Sequence, residues 1–414
     1  MKNNLLRRVA IEWGYFQEMG PNLQRLMLSY AFYLMARPLL DVFMNTFLWR
    51  QTNGALLIIL YYVGWVLGLP LGFWVNGLIL KKFHVKDLYF FGVVFQGVGA
   101  ALAIFSKQLN PSLILFYGLI FGFTASFFWA NKNSLSYLLS RGKNRLYYNS
   151  IETAIRLIVG VVIPLLVGWF IVSGERLAFY SVDGAYKIMI ILALILLFIS
   201  GLLMKLANFA DIGSAKLLVT KKSKNWTMAR LINFIYSVFF GINLFYPTLL
   251  ILYFGAKEGL VGTFQAVTQL LAAGSLYIIA RKMKTKQFVG FMNLAHFLYL
   301  VSFLLLSWQF SLLTAIIYLV VVTLFEVARW NSSYTLVMNA MDQELAGQTD
   351  EAGYAYVVDN EIFFNLGRII GLLSFIVGMS IFGLETTMKF LPIFFILLQF
   401  TLVWPMKYLV KQQQ

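Results

Sequence analysis

Long apolar runs separated by short basic turns dominate this sequence. Residues 311–324, SLLTAIIYLVVVTL, contain no ionisable group. A helix needs about 20 mostly apolar residues to cross the hydrocarbon of a bilayer. Lipid offers no hydrogen-bond partners, so a spanning backbone satisfies its amides internally, and a barrel would show ten-residue segments of alternating polarity instead. The sequence therefore predicts an all-α bundle of membrane-spanning helices.

The apolar pattern predicts twelve spans. They are residues 25–49, 55–80, 88–106, 112–139, 149–173, 186–206, 226–254, 259–281, 287–306, 309–339, 354–382 and 388–408. The expected organisation is a cytoplasmic or interfacial N-terminal segment (1–24), a first six-helix bundle (25–206), a cytoplasmic central loop (207–225) and a second six-helix bundle (226–414). The fold class is an all-α integral membrane protein built from two halves.

Composition agrees with lipid as the solvent. The chain is 60% hydrophobic and 12% charged, whereas a soluble domain has about 25% charged residues. The absence of cysteine excludes disulfides and thiolate metal sites, and with two histidines we expect neither a metal nor another cofactor. The net charge of +16 would suit nucleic acid. Because the basic residues cluster in turns between apolar runs, we expect the bilayer and not nucleic acid as the partner.

The placement of lysine and arginine predicts the orientation. With the N-terminus in the cytoplasm, 22 of the 33 basic residues fall in inside segments, six in outside loops and five within spans. This asymmetry predicts that both termini are cytoplasmic. One inside loop, residues 341–352, carries four acids and no base, but acids contribute little to the rule. Short tails and tight loops are typical of a bacterial cell-membrane protein, and we expect a monomer.

An internal repeat relates the two halves. FFWANKNSLS (127–136) and FEVARWNSSY (325–334) share phenylalanine, alanine, asparagine and serine at the same four positions, in the fourth span of each half. RLIVGVVIPLLVG (156–168) and RIIGLLSFIVG (368–378) are similar to each other in the fifth span of each half. Two similar halves suggest a pseudo-symmetric transporter whose site lies between them.

At this point the sequence resembles the major facilitator superfamily over nearly its whole length. The turn after span 2, GLILKKFHVK (77–86), is similar to the family's G-x-x-x-D-[RK]-x-G-[RK]-[RK] signature and keeps Gly77, Lys82 and Lys86. Lys81 stands where the family has an acid, and His84 replaces a glycine. The resemblance implies twelve helices that move substrates by alternating access.

Two finer resemblances concern the subfamily. GVVIPLLVG (160–168) resembles the motif of proton-coupled drug antiporters and keeps Gly160, Pro164 and Gly168, with Ile163 in place of the usual glycine before the proline. The LKKFHVK turn (80–86) is similar to that of bacterial glycolipid flippases in the same superfamily. Both resemblances imply export.

Charged residues inside the spans are the candidate functional groups, because a lipid-facing charge costs at least about 2.5–3.5 kcal/mol on insertion scales. They are Arg37 and Asp41, Lys132, Glu152 and Arg156, Glu326 and Arg329, and Asp359, Glu361 and Arg368. Residues three or four apart share a helix face, so the first, third and fourth groups are candidate local ion pairs. Lys132 has no local acid, and we expect its partner to be Glu152 or Glu361.

The acids are candidate proton carriers or gate residues. Burial raises the pKa of a carboxyl group and a neighbouring arginine lowers it, so a change of cation partner could release or take up a proton. The alternative is a static salt-bridge network that locks the inner ends of the helices. Asp41 lies deeper than the others, beside Asn45, and is the best single candidate for the proton carrier.

Several amides and indoles lie next to these charges and are candidates for lining the substrate site: Trp129, Asn131, Asn133, Trp330 and Asn331. Such side chains suit an amphiphile with an apolar body and a polar head. The alternative role for the amides is interhelical hydrogen bonding.

The leading interpretation is a proton-coupled secondary transporter that exports an amphiphilic or lipid-like molecule. No phosphate-binding loop or nucleophile elbow is present, so neither ATP drive nor an enzyme is expected. Import of a nutrient or siderophore, and a non-transporting receptor or assembly partner, stay open as alternatives.

Overall fold

A computed structural model describes residues 14, 16–17, 19–106, 108–139, 143–208, 217–219, 223–282, 285–346 and 350–412. Within these ranges the chain is helical and contains no strand. The predicted N-terminal segment and central loop lie largely outside the described residues. We call the membrane face at which span 1 begins the inner face and the opposite one the outer face.

Twelve helical spans cross between the two faces. The first six are Pro21–Leu40 with Val42–Thr52 (span 1), Leu56–Ile79 (span 2), Val85–Phe105 (span 3), Pro111–Leu139 (span 4), Lys143–Arg176 (span 5) and Val182–Lys205 (span 6). The second six are Lys224–Asn243 with Tyr246–Tyr253 (span 7), Glu258–Lys282 (span 8), Phe288–Trp308 (span 9), Leu312–Leu345 (span 10), Asp350–Phe382 (span 11) and Leu384–Gln399 with Val403–Gln412 (span 12).

Eleven spans in the described part are both long and apolar enough to cross a membrane. Span 8 is 25 residues long but is not among the eleven. It packs along spans 5 and 10, so neighbouring helices cover much of its surface. Each of the twelve predicted spans corresponds to helical structure in the predicted order, and eleven of them meet the requirements for a membrane crossing.

Local sequence signals start several of the helices. The Ser181 hydroxyl accepts a hydrogen bond from the Gly184 amide over 3.1 Å at the start of span 6. Ser223 caps span 7 in the same way, through the Trp226 amide at 3.0 Å. A serine oxygen satisfies an amide that would otherwise lack a partner in the first turn. These caps fix where the apolar runs enter the helical conformation.

Spans 5, 10 and 11 extend beyond their predicted ends. Span 10 was expected to end at residue 339 but continues to Leu345, and span 11 begins at Asp350 rather than at residue 354. The extra turn of span 10, MDQEL, consists mostly of residues that favour helices. Apolar length marks the hydrocarbon crossing and not the end of the helix, so these helices project past the inner face.

The first span of each half is broken after 20 residues. Span 1 is interrupted at Asp41, and span 7 is interrupted between Asn243 and Tyr246. Pro38 lies in the last turn before the first break, and Pro247 lies in the first turn after the second. Proline lacks the amide that continues the helical ladder, so it weakens the helix at these points. Broken spans near the midplane expose backbone and polar groups to the centre of the bundle.

Neighbour relations in the two halves match. Spans 1 and 5, 1 and 6, 2 and 4, 3 and 4, and 3 and 6 pack together in the first half, and spans 7 and 11, 7 and 12, 8 and 10, 9 and 10, and 9 and 12 pack in the second. The halves meet through spans 2 and 11, through spans 5 and 8, and through the outer pieces of spans 1 and 7. Span 2 corresponds to span 8 and span 5 to span 11, so a twofold rotation exchanges the contact between spans 2 and 11 with the contact between spans 8 and 5. This arrangement confirms the expected pseudo-symmetry.

Glycines allow the closest helix approach, between spans 2 and 4. A Cβ atom on Gly64 would lie 2.1 Å from the Leu115 carbonyl oxygen, and one on Gly68 would lie 2.4 Å from that of Leu119. These are backbone atoms that cannot rotate away. Small residues spaced by four along a helix are the usual means of close packing in a membrane. The contact makes spans 2 and 4 a rigid pair within the first half.

Candidate functional site

An arginine–aspartate pair occupies the break in span 1. Arg37 forms an ion pair with Asp41 and donates a hydrogen bond to the Tyr33 hydroxyl over 3.1 Å. Its guanidinium carbon lies 5.5 Å from the ring centroid of Trp65 in span 2. The Oδ1 atom of Asp41 is buried and has no hydrogen-bond partner among the described residues. The predicted local pair is therefore present, and one carboxylate oxygen remains free.

Other buried polar atoms without partners lie near Asp41. The Asn45 amide nitrogen donates to the Tyr62 hydroxyl over 3.1 Å, but the Asn45 Oδ1 atom has no partner in the described structure. The hydroxyl of Tyr61, within electrostatic range of Asp41, also lacks one there. Buried polar groups are nearly always satisfied by protein or water. A group of unsatisfied atoms around one carboxylate is a place suited to water or a ligand.

Unlike Asp41, Glu326 in span 10 has hydrogen-bond donors on both of its carboxylate oxygens. Its Oε2 atom accepts hydrogen bonds from Arg329 at 2.7 Å and from the Tyr299 hydroxyl at 3.0 Å, and its Oε1 atom accepts from the Tyr236 hydroxyl. Arg329 has no exposed surface and also donates to Gln399 over 2.9 Å. The predicted local pair is present here too, in a closed network that joins spans 7, 9, 10 and 12.

Lys132 in span 4 pairs with Glu152 in span 5, with 2.7 Å between its ammonium nitrogen and the carboxylate. Its nitrogen also lies 4.5 Å from the ring centroid of Tyr30. The alternative local pair, Glu152 with Arg156, does not form. Lys132 is buried and would be costly without a counter-charge, whereas Arg156 is exposed and forms no ion pair within the described ranges.

Asp359 belongs to the second half alone. Arg230 of span 7 grips both carboxylate oxygens at 2.6 Å, and the Trp226 indole donates to one of them over 2.8 Å. Such a two-bond arginine–carboxylate contact is strong and directional. It ties the inner ends of spans 7 and 11 together, and Asp359 forms its ion pair with Arg230 rather than with Arg368.

Glu361 and Arg368 both lie in span 11 and are bridged by the side-chain amide of Asn365. The Asn365 amide donates to Glu361 over 3.1 Å, and Arg368 donates to the Asn365 carbonyl oxygen over 3.0 Å. Arg368 forms no ion pair within the described residues, and its Nε atom is buried without a partner there. Arg37 of the first half is within electrostatic range of Arg368.

The predicted lining amides and indoles have different surroundings. Asn131 is buried, donates to Asn76 of span 2 over 2.8 Å, and so serves helix packing. Asn133 and Asn331 are exposed on the surfaces of spans 4 and 10. The Trp129 ring lies 5.9 Å from that of Tyr33.

Trp330 joins a second aromatic cluster. Its ring lies 5.7 Å from Tyr236, 5.5 Å from Phe364 and 6.2 Å from Phe240. Both tryptophans therefore stand beside the interior rather than on the lipid surface.

Residue types alone did not reveal several partners. Tyr33, Tyr236 and Tyr299 look like ordinary aromatic residues of an apolar helix. No spacing rule predicts that their hydroxyl groups bind the charged residues. Arg230 lies within the predicted span 226–254 but is not among the candidate charges drawn from the sequence. The position of this arginine just inside a span, close to a tryptophan, was the feature that could have identified it as a partner for a buried carboxylate.

The halves contact one another at both faces. At the outer face, Arg50 of span 1 reaches Glu258 of span 8 at 3.0 Å and Glu175 of span 5 at 3.2 Å. The Tyr186 hydroxyl donates to the same Glu258 oxygen over 3.2 Å. We call this the outer latch.

At the inner face, the Tyr354 hydroxyl of span 11 donates to the Phe73 carbonyl oxygen over 2.7 Å and accepts from the Asn76 amide over 3.1 Å. We call this the inner latch. The latches lie on opposite sides of the Arg37–Arg368 region.

A family model matches this architecture. The model of the Major Facilitator Superfamily covers residues 26–372, which is most of the chain and includes both broken spans. The chain belongs to the Major Facilitator Superfamily. It is a multi-pass membrane protein with the fold of a secondary transporter, and such proteins are not enzymes in general.

Individual relatives are distant. An uncharacterized protein of Bacillus subtilis (strain 168), YqgE, is 21% identical over 351 residues, covering 83% of this chain and 79% of the relative. The solved nucleoside transporter NupG has a TM-score of 0.67 at 12% identity and covers 94% of this chain and 100% of its own. A bacterial homolog of the human lysosomal transporter Spinster gives 0.64 at 12% identity, over 97% and 98% of the two chains. These likenesses establish the fold alone.

Proposed function

We propose that the protein is a proton-coupled secondary transporter that exports or flips an amphiphilic or lipid-like molecule across the cell membrane by alternating access. Proton coupling is assigned to Asp41. The observation that carries it is the ion pair of Arg37 and Asp41 in the broken part of span 1, with one buried carboxylate oxygen free. A transporter needs a group that gains and loses a proton in the middle of the membrane, where both faces can reach it in turn.

Comparison of the two local ion pairs favours Asp41 over Glu326. Both oxygens of Glu326 already accept hydrogen bonds, from Tyr236 on one side and from Tyr299 and Arg329 on the other, so a proton on either oxygen would disturb at least one of them. Asp41 can accept a proton on its free oxygen without losing a bond from any described residue. Nearby, the side-chain oxygens of Asn45 and Tyr61 have no hydrogen-bond partner in the described structure. They supply polar contacts for a water molecule that would deliver the proton to Asp41.

Protonation of Asp41 also changes the balance between the halves. The negative charge of Asp41 compensates Arg37, and the positive charge of Arg37 acts at longer range on Arg368 of the second half. When the Asp41 carboxylate is neutralised, less negative charge offsets the positive charges of Arg37 and Arg368. The repulsion between these two arginines then favours separation of the two halves in the middle of the membrane. Proton uptake would thereby loosen one set of contacts between the halves.

The span 5–8 interface supports the assignment to export. Gly168 of the antiporter-like motif packs on span 8, where a Cβ atom would lie 2.5 Å from the Glu258 carbonyl oxygen. A Cβ atom on Gly262 would in turn lie 2.2 Å from the Pro164 carbonyl oxygen. The motif residues therefore form the contact on which the halves would rock. The loop charges support cytoplasmic termini, with the inner face toward the cytoplasm.

The test is proton movement in proteoliposomes that contain a pH-sensitive dye. Three fluorescent amphiphiles are supplied: a cationic dye, a naphthyl carboxylate and a phospholipid with a fluorescent acyl chain. We expect at least one to drive proton flux in the unmodified protein. Asp41→Asn abolishes that flux and uphill transport, but it preserves exchange of the same amphiphile at equal concentrations.

Asp183→Asn is the control, because Asp183 is an exposed acid at the outer start of span 6. It should keep both activities. Proton flux that persists in Asp41→Asn would exclude Asp41 as the carrier. The absence of flux with all three amphiphiles in the unmodified protein would contradict proton-coupled export.

A further inference from the structure

Arg368 combines two features: it has no ion pair with any described carboxylate, unlike Arg329, and it has a buried nitrogen without a partner, whereas Arg156 is exposed. Arg37, Lys132 and Arg329 each contact a carboxylate at ion-pair distance. Arg368 has only the Asn365 side-chain oxygen at 3.0 Å, and its Nε atom is buried with no partner among the described residues. Arg368 as a whole is partly exposed, but its Nε atom is buried, and a buried polar atom without a hydrogen bond is unfavourable. An arginine in this position is therefore set to bind something that the folded chain does not itself supply.

The nearest acid does not neutralise Arg368 by contact. Glu361 lies in electrostatic range, but its carboxylate is occupied by the Asn365 amide at 3.1 Å. Asn365 thus separates the two charges and orients the guanidinium group at the same time. On the other side, Arg37 adds positive charge from the first half, and its own carboxylate partner is already engaged. Glu361 and Arg37 therefore act on Arg368 with opposite signs, and no carboxylate among the described residues forms an ion pair with it.

An aromatic surface borders the guanidinium group. Its central carbon lies 4.1 Å from the ring centroid of Phe364 and 5.0 Å from that of Phe240. The Trp330 ring continues this surface, 5.5 Å from Phe364. Flat aromatic rings bind apolar bodies, whereas the guanidinium fork binds carboxylate or phosphate through paired hydrogen bonds. The arrangement combines one anionic position with one apolar face.

We propose that Arg368 binds the anionic head group, carboxylate or phosphate, of the transported amphiphile, and that Phe240, Phe364 and Trp330 hold its apolar body. The proposal rests on the transport function above and narrows its substrate class. Asn365 is a positioning residue, because it acts on the ligand only through Arg368. Arg37 contributes attraction at longer range.

The experiment measures equilibrium binding to purified protein in nanodiscs, without a proton gradient. The probes share one body and differ in their head: 2-naphthoate, 2-naphthyl phosphate, neutral 2-naphthol and cationic 2-naphthylmethylamine. We expect both anions to bind more tightly than the neutral and cationic probes. Arg368→Gln should weaken both anions by about tenfold or more while changing 2-naphthol by less than about threefold. The two anions distinguish a carboxylate head from a phosphate head.

Further variants separate binding from folding. Arg368→Lys keeps the charge but loses the paired hydrogen bonds of the guanidinium group, so its anion binding should lie between that of the unmodified protein and that of Arg368→Gln. Lys389→Gln, on a partly exposed lysine paired with Glu385, is the charge-removal control and should leave the binding of all probes unchanged. Glu361→Gln removes a nearby negative charge and should tighten anion binding by about threefold. Unfolding temperatures are measured for every variant.

The proposal is overturned if the anions bind no better than 2-naphthol, or if Arg368→Gln weakens all probes equally. Failure of proton coupling in Asp41→Asn would leave this binding result intact. The two proposals therefore fail separately.

Discussion

Single carboxylates of the spans differ in how completely the fold satisfies them. Glu326 accepts hydrogen bonds from two tyrosines and from Arg329, and Arg329 is fully buried. Asp41 keeps one oxygen free at a helix break. The first environment surrounds the carboxylate with donors, and the second leaves one carboxylate oxygen without a donor. The same functional group, a carboxylate, thus supplies a structural lock in one half and a candidate carrier in the other.

Removal of the Glu326 charge should destabilise the protein. Glu326→Gln leaves Arg329 buried without a counter-ion, and breaking such a pair costs about 3–5 kcal/mol. We expect a clear fall in unfolding temperature in detergent. Glu385→Gln removes an exposed carboxylate that pairs with Lys389 at the outer end of span 12, and it should leave the temperature unchanged. An unfolding temperature for Glu326→Gln equal to that of the unmodified protein would show that the network does not hold the second half together.

Sequence spacing predicts pairs within one helix and fails for pairs between helices. Arg37 with Asp41, and Glu326 with Arg329, follow from helical geometry, and both are observed. The same rule allowed Glu152 to pair with Arg156, but Lys132 of the adjacent span takes that carboxylate. Which helix lies beside which is decided by packing, and spacing along one segment contains no information about it.

The membrane-spanning helices could be predicted from the sequence, because the thickness of the lipid bilayer sets their minimum apolar length. The twelve apolar runs gave the spans in the right number and order, because hydrocarbon thickness fixes the apolar content of each crossing. The breaks at Asp41 and after Asn243 were not predicted, although Pro38 and Pro247 lie beside them. A proline in a spanning helix is compatible with a kink, a break or a straight course, since neighbouring helices can satisfy the freed carbonyl.

The close packing of spans 2 and 4 gives a prediction at this scale. Gly68→Val places a branched side chain where even a Cβ atom would lie 2.4 Å from the Leu119 carbonyl oxygen. Overpacking of this kind costs about 1–3 kcal/mol, so the unfolding temperature should fall. Gly290→Val is the matched control, because nothing lies within 4 Å of a Cβ atom at that position in span 9. Equal effects of the two substitutions would mean that the helices do not touch at Gly68.

The whole molecule consists of two six-helix halves that meet around the Arg37–Arg368 region. Corresponding spans have corresponding neighbours, and the cross-contacts 2–11 and 5–8 exchange under the twofold relation. The outer latch on Glu258 and the inner latch on Tyr354 lie on opposite sides of that region. Two halves that rock about a central site would open one latch while the other stays closed, which is the geometry that alternating access requires.

The outer latch offers a way to shift this balance. Glu258 is the nearly buried member of the latch and accepts from both Arg50 and Tyr186, whereas Glu175 is largely exposed. Glu258→Gln should therefore favour opening at the outer face. Glu175→Gln removes only an exposed contact of the same arginine and serves as the control, since such pairs contribute little.

Distances between spin labels test the central claim most directly. The chain has no cysteine, so introduced cysteines are the only labelling sites. One pair, at Gln51 and Gln309, spans the halves at the outer face, and another, at Lys82 and Asp342, spans them at the inner face. In Glu258→Gln we predict a longer outer distance together with a shorter inner distance, and no change in Glu175→Gln. Outer and inner distances that stay fixed, or that change in the same direction, would contradict two halves rocking about a shared central site.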